Sequence, residues 1–190
     1  MYSYSLNATF LLIGYIILNA MYSLYLKHIA IIDITCIAIG FIIRILIGGV
    51  IVNIILSKWI IIMTFLLALF IGLGKRKGEF LFFEKSTEKA RQSMDGYNIE
   101  FIDKALSIMG AVLIVCYMMY VTETDIMNQY QSEWIFMTSI FVIVGILRYL
   151  QLISVYRLID SPTKIIYTDY FLQIVLILWV TSFGIILYIK

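Results

Sequence analysis

The sequence predicts an all-α protein, a polytopic transmembrane helix bundle of about six membrane helices forming one domain over residues 1–190. Three observations carry this. Hydrophobic residues make up 63% of the chain and its mean hydropathy is +1.00, far outside the soluble globular range. A single Pro occurs in 190 residues, so long helices can run uninterrupted. The apolar residues gather into six runs close to the roughly 20 that cross a hydrocarbon core of about 30 Å. No linker, repeat or low-complexity tract divides the chain, and the net charge of +2 is too small to support nucleic-acid binding.

The first run, Leu6–Leu26, is too long for a cleaved signal, and Met1-Tyr2-Ser3-Tyr4 lacks the basic start of one. Asn19, Ser23 and Lys27 follow at spacings of four, giving one polar side toward the end of this helix. Next comes Ile31–Val52, which carries Asp33 and Arg44. The third run, Trp59–Leu73, passes without a turn signal into Lys75-Arg76-Lys77-Gly78-Glu79, so its helix should extend into water. Residues 75–104 form a polar and amphipathic loop, with an amphipathic stretch from Phe80 to Arg91 suited to lie on a membrane as a lid. Then follow Ala105–Val121, Trp134–Leu150 and Phe171–Ile189. Trp59, Trp134, Trp179, Tyr22, Tyr25, Tyr149 and Tyr188 are expected to form an interfacial aromatic belt. Cys36 and Cys116 lie inside apolar runs without a ligand-type partner, so neither a disulfide framework nor a metal site is indicated.

The loops after the first, third and fifth runs hold nearly all the Lys and Arg, which predicts that they are cytoplasmic. Both chain ends would then be outside, a layout that reads as the back part of a longer protein.

Charge within a membrane helix is costly unless it meets a partner or a wet cavity, so each such residue is a site candidate. Arg44 lies three turns beyond Asp33 on the same helix face, flanked by Gly40 and Gly48 one turn on either side. It is suited either to an anion-lined cavity or to the carbonyls or a carboxylate of a neighbouring helix. Lys75, Arg76 and Lys77 at a helix end suit phosphate or pyrophosphate, or else anionic lipid head groups. Lys27 is open to the same two readings. Glu79 is spaced to orient Lys75 at i, i+4. Carboxylates of this segment could hold Mg²⁺, which takes one or two of them plus substrate phosphates, but spacing does not choose among Glu79, Asp95, Glu100 and Asp103. Arg148 and Asp169 are expected on the same membrane side, so that cations and carboxylates from three loops converge at one mouth. His28 has no second ligand nearby, and no Ser/His/Asp or Cys/His pairing occurs, so no catalytic nucleophile or base is assigned.

These residues resemble those of the UbiA-type intramembrane transferases, specifically the decaprenyl-phosphate phosphoribosyltransferase branch. The likeness is carried by Tyr25-Leu26-Lys27-His28 and Asp33, Ile43-Arg44, Gly48-Gly49, Leu73-Gly74-Lys75-Arg76 with Glu79, then Arg91, Tyr97, Asp103, Arg148-Tyr149, Pro162 and Asp169, in family order. It implies a nine-helix bundle in which these six helices would be the fourth to ninth, the first three being absent. It implies transfer of 5-phosphoribosyl from phosphoribosyl pyrophosphate to a polyprenyl phosphate, assisted by Mg²⁺, at the inner membrane of a bacterium. Lys27, Arg44, Lys75, Arg76 and Arg148 would bind substrate phosphate, Glu79, Asp103 and Asp169 would ligate the metal, and Asp33 and Tyr97 would support the site. The family's Asn-Asp-x-x-Asp motif does not occur. The expectation is therefore a fragment, a degenerate copy, or a half completed by a partner polypeptide, not active by itself. Two alternatives stand beside it: another UbiA-type prenyltransferase acting on an aromatic acceptor, and a non-catalytic membrane component.

Overall fold

The computed structural model describes residues 2–85, 96–123, 133–155 and 162–188, and among these residues the regular structure is helical, with no strand. Helix α1 runs Tyr2–Leu24, α2 Ile32–Val52, α3 Lys58–Lys85, α4 Ile99–Val121, α5 Ser139–Ser154, the short α6 Pro162–Thr168 and α7 Tyr170–Tyr188. Single 3-10 segments occupy Leu26–His28 and Glu133–Thr138. Among the described residues, five stretches are long and apolar enough to cross a membrane, namely Leu6–Leu24, Ile32–Val52, Lys58–Phe82, Ile99–Val121 and Trp134–Ser154. The sixth apolar stretch, Tyr170–Ile186, is shorter, and at 1.5 Å per residue it reaches only about 25 Å.

Helix ends follow local chemistry. Asn53 closes α2 in the left-handed conformation at φ 58°, its N–H returning to the carbonyls of Gly49 and Val50. Asn98, extended at φ −132°, caps α4 by accepting the Phe101 N–H at 2.6 Å, which is why this helix starts several residues before its apolar run. Asp169 caps α7 in the same way, its Oδ1 accepting the Leu172 N–H at 2.8 Å.

The polar stretch 75–104 is therefore not a loop throughout. Residues 75–85 continue α3 and residues 99–104 begin α4. The apolar run of α3 extends into charge without a break, as its lack of a turn signal predicts. The amphipathic stretch expected from Phe80 to Arg91 is helical as far as Lys85, and the remainder, with Arg91, lies outside the described residues.

Packing follows chain order. Helix α1 lies on α2, α2 on α3, α3 on α4 and α4 on α5, and α7 returns against α5. The main core lies among α3, α4, α5 and α7, where Phe70, Leu73, Leu106, Ile146, Ile153 and Leu172 are buried together. A second cluster around Tyr117, Val121 and Ile135 joins α4 to the 3-10 segment before α5. There the Trp179 indole donates to the Tyr117 hydroxyl at 2.9 Å. Trp179 thus sits mid-way along α7, half-buried against Tyr117, and not at a helix end as an interfacial belt would have it.

Candidate functional site

The centre of the polar region is a buried ion pair between α2 and α3. Asp33 is wholly buried and Arg76 is 2% exposed, with Arg76 Nε 2.8 Å from Asp33 Oδ2. Arg76 comes to be buried because α3 carries an apolar stripe, Leu66, Phe70, Leu73 and Leu81, which turns this side of the helix inward beyond the last apolar turn. Its Nη1 also bonds Glu79, one turn on. The Asp33 carboxylate is satisfied on its other oxygen by the Tyr97 hydroxyl and the Ile34 N–H, each at 2.8 Å.

Tyr97 ties the arrangement to the chain entering α4. Its hydroxyl donates to Asp33 and accepts the Ile31 N–H at 2.6 Å. Burial pushes the phenol above its usual range, and the bond to ionised Asp33 acts in the same direction against the opposing Ile31 N–H. Tyr97 is thus a neutral donor at physiological pH. Replacing it by Phe keeps the ring packing but leaves the Ile31 N–H without its partner and Asp33 short of one donor. The expected loss is about 1–3 kcal/mol in thermal unfolding of the purified protein.

Lys77 lies on the same buried stripe, 3% exposed, its ammonium bonded to Asp103 of α4 and donating to Ser154 Oγ of α5 at 3.0 Å. Arg148 grips Asp169 with two bonds, Nε to Oδ1 at 3.2 Å and Nη2 to Oδ2 at 2.6 Å, while Nη1 bonds Gln151 at 2.8 Å. This guanidinium holds the Asp169 carboxyl below its usual range, with the Leu172 N–H assisting.

The site residues expected from the sequence therefore separate. Asp33, Arg76, Glu79 and Tyr97 form one connected group; Asp103 is bound to Lys77 and Asp169 to Arg148. Glu79 serves Arg76 and not Lys75, because the i, i+3 partner faces the same interior side while Lys75 is exposed. Lys27, half-buried in the 3-10 turn after α1, and Lys75 have no acidic partner among the described residues. Arg44 stands three helical turns, about 16 Å, along α2 from Asp33. It donates from Nε to the Tyr15 hydroxyl at 3.1 Å and takes no part in the Asp33–Arg76 group.

The three carboxylates expected to ligate Mg²⁺, Glu79, Asp103 and Asp169, do not come together. Each is engaged by a different cation, and among the described residues no three His, Cys, Asp or Glu side chains gather as a metal site requires. These residues alone do not assemble an Mg²⁺ site.

Beside the charged group lies an apolar cavity of about 420 Å³ between α3, α4, α5 and α7, lined among others by Phe70, Leu113, Tyr117, Tyr149, Leu172 and Trp179. Tyr149 connects the two regions. Its ring lies 5.1 Å from that of Phe70, and its hydroxyl, buried and without a hydrogen-bond partner among the described residues, points at Gly74. Gly74 precedes Arg76 by two residues, so Tyr149 links the cavity lining, which on α3 reaches Ile71, to the turn that carries the buried cations.

No family model matches the chain. Its sequence aligns over 188 residues with the decaprenyl-phosphate phosphoribosyltransferase of Mycolicibacterium smegmatis at 29% identity, covering 96% of this chain and 59% of that protein. The decaprenyl-phosphate phosphoribosyltransferases of Mycobacterium tuberculosis and Corynebacterium glutamicum each align at 26% identity, covering 94% and 92% of this chain and 58% and 52% of their own lengths.

The chain is similar in sequence to the decaprenyl-phosphate phosphoribosyltransferases.

It spans between half and three fifths of the length of these curated relatives. The phosphoribosyltransferase likeness covers nearly all of it, including the helices that carry Asp33, Arg76, Tyr97 and Asp169. With its apolar helices and this similarity, the chain is an integral membrane protein.

Proposed function

We propose that the chain supplies the lipid-phosphate half of a transferase that moves 5-phosphoribosyl from phosphoribosyl pyrophosphate to a polyprenyl phosphate. The observation that supports this most directly is an apolar cavity along the stretch of α3 that leads into the basic helix end, its lining on α3 reaching Ile71, four residues or about 6 Å before Lys75. An amphiphile with a long hydrocarbon tail and a phosphate head asks for that juxtaposition. In the reaction, a phosphate oxygen of the lipid forms a bond to the anomeric carbon while the bond from that carbon to pyrophosphate breaks, pyrophosphate leaving with the electron pair. The acceptor is already anionic, so no general base is needed, in keeping with the absence of any Ser/His or Cys/His pairing in the sequence.

The division of labour follows from which cations are engaged. Arg76, Lys77 and Arg148 are bound to carboxylates and shape the site, whereas Lys75 and Lys27 are without acidic partners among the described residues and are the donors this reading assigns to phosphate. Mg²⁺ belongs to the proposal as the counter-ion of the donor's pyrophosphate. The basic helix ends face the cytoplasm of a bacterial plasma membrane, where a soluble phosphorylated donor is available, and a partner polypeptide furnishes further helices.

The test is a membrane preparation expressing the chain together with the polypeptide that furnishes the further helices, supplied with labelled phosphoribosyl pyrophosphate and polyprenyl phosphate. Labelled lipid should form only when the chain is present. Lys75→Gln should lower the rate roughly ten- to a hundredfold, the worth of one charged contact at about 1.5–3 kcal/mol. Product formed only from a prenyl diphosphate and an aromatic acceptor would transfer the assignment to another prenyltransferase. No product under either condition would leave a non-catalytic membrane component.

A further inference from the structure

Arg44 lies near the middle of α2, which runs Ile32–Val52, about 18 Å along the helix from its first residue and about 12 Å from its last. Its side chain folds back over the preceding turn. The guanidinium carbon is 5.1 Å from the centre of the Phe41 ring and 5.1 Å from that of Tyr15 on α1, and both Nε and Nη2 donate to the Tyr15 hydroxyl. The charge is thus held at mid-helix and turned away from the nearer end, the reverse of an arginine that reaches out to the membrane surface. A hydroxyl and two aromatic faces solvate it but do not neutralise it, and Nη1 has no hydrogen-bond partner among the described residues.

No acid among the described residues is placed to do so. Asp33 is committed to Arg76, and the sequence contains no Asp or Glu from 34 to 78, 105 to 122, 134 to 159 or 170 to 190. A second copy would therefore bring no carboxylate to the middle of a span. The face around Arg44 is also uncovered. Phe41 and Gly48 are exposed, a Cβ at Gly48 would meet nothing within 4 Å, and none of the hydrophobic window of α1 is buried. Between α1 and α2 a groove of about 140 Å³ passes Tyr15, Asn19, Tyr22, Gly40 and Arg44.

We propose that this face of α1 and α2 docks a transmembrane helix, not contained in these 190 residues, that carries an Asp or Glu at mid-bilayer depth, with Arg44 as its counter-ion. Depth decides between this occupant and a lipid phosphate, since head groups lie about 15 Å from the bilayer midplane and the guanidinium is directed back along α2. Exposed Gly48, one turn from Arg44, lets a helix backbone approach closely beside the charge. The proposal is independent of any transfer chemistry, since it concerns a face three turns from the Asp33–Arg76 group.

The test uses the whole chain, labelled with an energy-transfer donor, in phosphatidylcholine vesicles. The probe is an acceptor-labelled polyleucine transmembrane peptide with one central Asp, compared with its all-Leu counterpart. The Asp peptide should associate at about one tenth of the density the Leu peptide needs. Arg44→Gln, checked for native helicity by circular dichroism, should abolish that advantage, and Arg44→Lys should keep part of it. Equal association of the two peptides, or an Asp advantage that survives Arg44→Gln, would overturn the proposal. It would equally fall if phosphatidylglycerol gathered around the chain in an Arg44-dependent way while the Asp peptide showed no preference.

Discussion

Asp33→Asn should destabilise the bundle by about 3–5 kcal/mol, because removing one partner of a buried ion pair leaves the other charge without compensation. The guanidinium of Arg76 would keep Glu79, which is partly exposed, but lose the wholly buried carboxylate that joins α2 to α3. Arg76→Met should be comparably damaging, since it strands a carboxylate of which one oxygen faces only that guanidinium. The two losses should not add. In the double variant neither charge is buried alone, and a coupling of roughly 0.5–3 kcal/mol is expected in a double-mutant cycle read by unfolding in detergent. An Asp33→Asn protein within about 1 kcal/mol of the parent would mean that the pair does not hold these helices together.

Gly74→Ala should cost about 1–3 kcal/mol, the range for overpacking a closed site. A Cβ there would overlap the Tyr149 hydroxyl and sit 3.2 Å from its Cζ and 3.0 Å from Ile153 Cδ1. Tyr149 is confined in turn by Phe70, so the ring has little room to retreat. Tyr149→Phe alone should be neutral or slightly stabilising, since it removes a buried hydroxyl that has no hydrogen-bond partner among the described residues. Combined with Gly74→Ala it should recover roughly half of the loss, the contact with Ile153 remaining. Thermal unfolding of the four proteins decides the matter, and equal penalties for Gly74→Ala with Tyr149 or Phe at 149 would rule out the hydroxyl as the obstacle.

The helices are legible in the sequence because membrane-length apolar runs leave few alternatives, and their ends are missed only where capping decides them. Asn98 starts α4 ahead of Ala105, and the 3-10 segment at Glu133–Thr138 delays α5. The charged group is legible in part. Lys75 and Arg76 are visible as cations at a helix end, yet adjacency in sequence hides that one is exposed and the other buried.

Lys77 reads from the sequence as one more cation for phosphate, yet the signal for its burial is there as well. Leu66, Phe70, Leu73, Lys77 and Leu81 recur at three- and four-residue spacing, so the core stripe of α3 passes straight through the lysine. What no local pattern carries is the choice of partner. Asp33 with Arg76, Lys77 with Asp103 and Arg148 with Asp169 are set by how helices meet in space, and spacing along one helix instead favours Lys75 with Glu79. The same limit explains why three carboxylates that read as metal ligands each turn out to be bound to a base.

Ile31, whose N–H is held by Tyr97, has φ 69°, a backbone shape that a β-branched residue adopts only at a cost of about 1–3 kcal/mol. The turn between α1 and α2 is consequently cocked, kept under tension by a phenol that is itself tethered to Asp33. The single bond from the Ile31 N–H to that phenol is thus what fastens the turn, four residues after Lys27, to the start of α4.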